Sequence, residues 1–331
     1  MIKELTSLRF ILILVIFFHH VLPSYPGGGD MGVACFFVLS GFCYVLGYGR
    51  KVLSSDFSYG NFIKGRFAKF YPLHWITLFL AIPLSLYAAL GWKNILVFGA
   101  NFLLVQSWIP ISTVYYSYNG VSWFLSDMVF LVVAFPFLFR WLDSRDKRRI
   151  FLLLAGIAYC CLCIVTPESH RNTILYVNPL VRLCDFTVGI LAGMWYQRLA
   201  GNKASVDFVQ YHKLLTAIVS LLSFLILVLL SVLVPAEYTL MAWIFWPAIV
   251  MLLLSVSLNS GGLLANPFLY RLGTISFPFY MIHQLVIRYF SKLCNQIDLN
   301  LPLTATVPIA LILSIALSLL LDKYLSRLQK K

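Results

Sequence analysis

Apolar residues in this chain come in long unbroken runs, and polar residues are confined to the short intervals between them. A bilayer core demands about 20 consecutive apolar residues per helix. Ten runs of that kind fall near 5–22, 31–48, 70–90, 120–141, 150–166, 177–197, 213–234, 240–258, 274–293 and 303–321. The expected fold is all-α: a polytopic helical bundle in a membrane, one domain over 1–331 with no separate soluble domain. The first run, Leu5 to Leu22, lacks a small-residue cleavage motif and leads directly into the second, so it reads as a membrane helix. An eleventh stretch, Ile95 to Ile109, is short, carries Asn101 and Gln106 and stops at Pro110. It is expected to be interfacial or re-entrant.

Composition agrees with lipid as the solvent: 61% of residues are hydrophobic and 11% charged, about half the charge of an ordinary soluble domain. The chain also carries a net +13, from 25 Lys and Arg against 12 Asp and Glu. In a soluble protein that excess would point to nucleic acid, but in a membrane protein Lys and Arg concentrate on cytoplasmic loops. With the N-terminus inside, nineteen of the basic residues fall on cytoplasmic segments, among them Lys64, Arg66, Lys69, Arg140 and the Arg145–Arg149 cluster. Only Lys93, Arg171, Arg288 and Lys292 fall outside. This asymmetry favours an even number of spans with both termini cytoplasmic, and counting 95–109 as a span would invert every later loop. Topology thus accounts for the charge, and no nucleic-acid partner is expected. The seven cysteines form no CxxC and no Cys/His cluster of metal-binding spacing, so no metal is expected. Paired Gly/Pro-broken segments of the kind found in inverted-repeat transporters are not evident.

Titratable groups at bilayer depth are costly, by at least about 2.5 kcal/mol for Arg, Lys or Asp near a helix centre, and each is a candidate site. Arg9 and His20 are eleven residues apart in the first run, which places them within about 20° of a common azimuth and about 16.5 Å apart along the axis. Each has a plainer reading: Arg9 as a side chain reaching the headgroups, His20 as a neutral interhelical hydrogen-bonder. Their alignment strengthens the functional reading. His19 is rotated away and should face a neighbouring helix. Arg66 and Lys69, at i,i+3 near the inner end of the third run, suit a phosphate-bearing cofactor, although positive-inside charge alone would also place them there. His74 is expected to bond between helices. Asp127 sits one turn after Trp123 and must find a cation or a proton. Arg182 and Asp185 could pair with each other, or Arg182 could serve Asp127 or a ligand. Ser276, Tyr280 and His283 lie within two turns and could line the same cavity.

Six segments taken in order resemble one family, the membrane-bound acyltransferase family three, whose members O-acylate bacterial surface carbohydrates and related acceptors. They are Arg9 with His20, GVACFFVLSGF at 32–42, RFAKFYPLHW at 66–75, WFLSDMVF around Asp127, VRLCDFTVG around Arg182, and SFPFYMIH ending at His283. Lys69 stands where the family usually has a second Arg, Asp127 where it has Glu, and LDKYLSRL lacks the usual Glu-x-Pro ending. The resemblance implies a multi-pass enzyme of a bacterial inner membrane, taking an acyl group from cytosolic acyl-CoA, acetyl-CoA above other donors. The acceptor it implies is a hydroxyl of a carbohydrate or lipid-linked glycan. His20 would be the general base, Arg9 would position the donor or stabilise the oxyanion, and Arg66 and Lys69 would hold CoA phosphates. Asp127, Arg182, Tyr280 and His283 would shape the acceptor pocket, with a polar channel joining the two ends. Relay to an extracytoplasmic domain would need a separate partner protein. The competing expectation is a transporter or flippase of a glycan or lipid intermediate.

Overall fold

A computed structural model describes residues 2–22, 28–85, 92–259 and 261–328; the end of the third expected run, 86–90, lies outside them. Every regular element among the described residues is helical. The long helices are α1 (Lys3–Val21), α2 (Gly28–Val52), α3 (Tyr59–Ser85), α4 (Trp92–Phe102), α5 (Trp123–Trp141), α6 (Arg145–Val165) and α7 (Pro179–Ala200). They continue with α8 (Lys203–Tyr211), α9 (Lys213–Leu233), α10 (Trp246–Leu258), α11 (Pro267–Thr274), α12 (Ser276–Gln296) and α13 (Leu303–Leu328). Each of the ten expected runs is occupied by one of these helices. Seven are long and apolar enough to cross a bilayer, or eight if Glu168–Val177 and α7, bent by 47°, form one span. The protein is a polytopic helical membrane protein. Helix α10 starts later than the hydropathy suggests because Ala242–Ile244 is 3₁₀ and Pro247 sits at the helix start. Helix α12 is polar for its length because it carries His283, Arg288 and Lys292.

Contacts between loops show how the helices alternate. Arg140 donates to the Val52 carbonyl through Nε and an Nη. Glu4 accepts from the Gly261 amide, and Asn259 donates to the Lys213 carbonyl. The basic loops therefore share one end of the bundle, as their charges suggested. Helix α3 runs from that end to the other and α5 runs back, so residues 92–122 begin and end at the far end and form a return rather than a crossing. The two polar residues that argued against a span find protein partners for their amide nitrogens, while their side-chain oxygens are buried without one. The Asn101 amide donates to Val97 O and Ser117 Oγ, and the Gln106 amide to Ser122 Oγ. The His74 ring donates to Asn101 O at 2.8 Å, the interhelical role expected of it.

The tightest crossing is α2 on α7. A Cβ on Gly41 would run into the Phe186 carbonyl, and one on Gly189 into that of Val38. The backbones touch, which is why the second run needs glycine there. This crossing and the packing of α1 against α2 set the depth at which the polar residues of α1 meet their neighbours.

Candidate active site

A cavity of about 1420 Å³ lies at the end opposite the basic loops. Its walls come from the start of α2, the end of α3, the 93–121 return, Asn172, Tyr176 and α12, and His19 and His20 reach it from the end of α1. His20 Nδ1 lies 3.1 Å from His283 Nε2. The His283 Nδ1 lies 2.8 Å from Tyr280 O and 3.1 Å from Phe279 O. The His283 ring stacks on Phe279, centroids 5.9 Å apart and planes at 6°, and is flanked by Phe17. Tyr280 lines the cavity and donates to the Val121 carbonyl at 3.0 Å.

Residues that the sequence did not assign to the site complete the wall. Asp30, in the first turn of α2, accepts from Thr239 Oγ1 at 2.7 Å. An acid at the start of an apolar helix was a readable signal, since helix N-termini favour carboxylates. His19 reaches the cavity while packing on Gly29, so it faces α2 as expected and the site as well. Tyr116 bonds with Asn172, and desolvation in the wall pushes its phenol up to about 12, so at neutral pH it is a neutral hydrogen-bonding group. Arg288 donates to Tyr118 O at 2.6 Å.

The basic end holds a second cluster. Arg66 lies over the Tyr48 ring, 4.6 Å from its centroid, and against the Tyr44 hydroxyl, with Arg9 within electrostatic reach of that hydroxyl. Arg9 also donates to Cys43 Sγ at 3.2 Å. Lys69, exposed, neighbours Arg66. Among the described residues none of the three cations pairs with a carboxylate.

The expected polar channel between these clusters is absent from the described structure. Ile13, Ile16 and Phe17, on α1 between Arg9 and His20, are fully buried, and Phe279 packs edge-on against Phe10 and Phe17. An apolar layer separates the ends because the α1 stripe shared by Arg9 and His20 is filled by branched and aromatic side chains. Arg9, about 16.5 Å down the axis from His20, belongs with the basic cluster and is out of reach of an oxyanion beside His20.

Asp127 and Arg182 do not line the cavity. Arg182 is fully buried, bonding Asp185 Oδ2 and the Leu175 carbonyl at 2.6 Å each, and Asp185 Oδ1 accepts from Trp246 Nε1 at 2.7 Å. Of the alternatives left by its spacing, the internal pair is the one formed. Asp127 is buried beside Ser107 with neither oxygen hydrogen-bonded. Ser276 and His283 also lie outside the cavity wall, His283 fully buried behind His20, so of the three residues expected to line one cavity only Tyr280 does.

A histidine at the floor of a cavity, with a cation cluster of α1 and α3 about one helix-length away, is an arrangement open to several chemistries, and comparison with known proteins narrows it. Residues 2–323 match the family model described as an acyltransferase domain. The chain belongs to this acyltransferase family. The enzyme is 29% identical over 289 residues to the acyltransferase MdmB of Streptomyces mycarofaciens, spanning 80% of this chain and 70% of that one. It is also 40% identical over 55 residues to Protein 2 in picA locus of Rhizobium radiobacter, 17% of this chain and 29% of that protein. No solved structure matches the acyltransferase. Membership decides between the classes the sequence left open in favour of an enzyme over a carrier.

Proposed function

We propose that the protein is an O-acyltransferase of a bacterial inner membrane, moving an acyl group, acetyl foremost, from cytosolic acyl-CoA to a hydroxyl of a carbohydrate or lipid-linked glycan. The observation that carries this reading is the position of His20: on the cavity floor, at the far end of its own helix from Arg9 and from the Arg66 and Lys69 of α3 gathered near it. Arg66 and Lys69, with Arg9 behind them, would hold the donor's phosphates, Arg66 by its fork and Lys69 as a point charge. The positive-inside asymmetry supports a cytosolic side for that cluster. The acceptor would enter the cavity at the opposite end, where Tyr116, Tyr176, Trp123 and Tyr280 offer ring faces and Asp30, Asn172 and Gln284 offer hydrogen bonds, a mixture suited to a sugar.

In the reaction, His20 takes the acceptor's hydroxyl proton as the oxygen attacks the thioester carbon, a contribution of roughly 10²–10⁴-fold. The C–S bond breaks and the thiol leaves with that proton. Arg9 acts on the donor, and the Arg182–Asp185–Trp246 group holds the helices around the site. The donor's acyl arm must pass the Phe17–Phe279 layer to meet His20, so that layer opens during turnover. Handing the group on to an acceptor beyond this chain would need a separate extracytoplasmic partner.

Purified protein in detergent, given radiolabelled acetyl-CoA and a glycan acceptor, should transfer label, and His20→Ala should not. Mass spectrometry of cell-surface glycans with and without the protein should show loss of an ester increment. Transfer at the wild-type rate by His20→Ala would sink the catalytic assignment, and unchanged glycans the acceptor class.

A further inference from the structure

We propose that His283 is a positioning residue that fixes the tautomer of His20 and so confines base catalysis to one atom, His20 Nε2. The proposal deepens the reading of His20 as base and rests on it. A carbonyl oxygen only accepts, and His283 Nδ1 lies within hydrogen-bond distance of two, Tyr280 O at 2.8 Å and Phe279 O at 3.1 Å. His283 Nδ1 therefore carries hydrogen. In the neutral ring Nε2 is then bare, and it lies 3.1 Å from His20 Nδ1. A bond between two ring nitrogens needs one hydrogen, and only His20 can supply it. His20 Nδ1 is thus protonated, and the one lone pair left on a neutral His20 is at Nε2, on a ring that lines the cavity.

The surroundings hold the His283 ring in this orientation. It stacks on Phe279, parallel within 6°, and meets Phe17 edge-on, and flipping the ring would turn a carbon toward both carbonyls and forfeit their bonds. The protons then balance without a change of tautomer on His283. The acceptor's proton moves to His20 Nε2 as its oxygen bonds the acyl carbon, and the departing thiolate takes that proton as the C–S bond breaks. Throughout, His20 Nδ1–H keeps donating to His283, and the bond strengthens while His20 is an imidazolium. His283 offers the proton no onward path, because its other nitrogen already donates to the helix backbone. The proton must leave by the atom through which it arrived.

Nitrogen NMR of the full-length protein, ring-labelled with ¹⁵N-histidine and assigned by the signals lost in His20→Ala and His283→Ala, reads the tautomers directly. Expected is a protonated Nδ1 and a bare Nε2 on His20; a protonated Nε2 on His20 overturns the proposal, whatever the protein catalyses. In kinetics, His283→Gln keeps an acceptor for the Nδ1 hydrogen and should hold kcat near wild type. His283→Leu fills the space without one and should lower kcat roughly 10–100-fold, the range for partners that orient a functional histidine, with KM for both substrates unchanged. Equal rates in the two variants, both fast or both slow, would overturn the positioning role. If instead His20→Ala transfers acyl at full rate, the base assignment falls while the nitrogen spectrum still decides the tautomer.

Discussion

The two ends of α1 solve opposite problems. At Arg9 the surroundings are a loose group of cations and phenols with an exposed lysine beside them, a geometry that attracts an anion without shaping it. At His20 the ring faces His283, whose own ring is held by two backbone carbonyls and stacked on Phe279. On the proposed reading one end collects and the other places, and the buried Ile13 and Phe17 lie between them.

That contrast can be broken at its strongest point first. His20→Ala should cut turnover roughly 10²–10⁴-fold while acyl-CoA binding, followed by calorimetry on the purified protein, stays intact. Weakened donor binding would mean that the ends are not separable. Next in size, Arg182→Ala leaves Asp185 buried with Trp246 alone, and removing one partner of such a pair costs about 3–5 kcal/mol. A large drop in Tm in detergent is expected, with activity per folded molecule unchanged, and a variant that is stable but inactive would return Arg182 to the substrate. Arg66→Gln should raise KM for acyl-CoA roughly 10–100-fold, the worth of one hydrogen bond to a charged group, and leave the acceptor's KM alone. Lys69→Gln should do the same more weakly, because an exposed charge is screened. The smallest effect is at the cavity: Tyr116→Phe should raise only the acceptor's KM, by a few-fold, as expected for one neutral hydrogen bond.

The spans were legible because a membrane helix declares itself by length and apolarity, and the i,i+11 relation of Arg9 and His20 needs only helix geometry. The i,i+3 spacing of Arg182 and Asp185 showed that they could meet but not that Trp246, sixty-one residues on, would complete the pair. His283 was singled out as a pocket residue, yet its role depends on facing His20 across 263 residues, which no local pattern encodes. The cavity roof was the least legible part. Leu104 and Tyr118 adopt positive φ of 57° and 55° without being glycine, held there by contacts from other helices, such as Arg288 on Tyr118 O.

That roof has an evolutionary consequence. Much of it is one continuous peptide, fastened to the bundle through its carbonyls: Tyr71 to Leu103 O, His74 to Asn101 O, Trp75 to Phe102 O and Arg288 to Tyr118 O. Bonds to main-chain oxygens are indifferent to the side chain above them. Exchanging that single cassette could retune which hydroxyl compound is admitted while leaving the histidine machinery beneath untouched, a division of labour that lets one scaffold serve many acceptors.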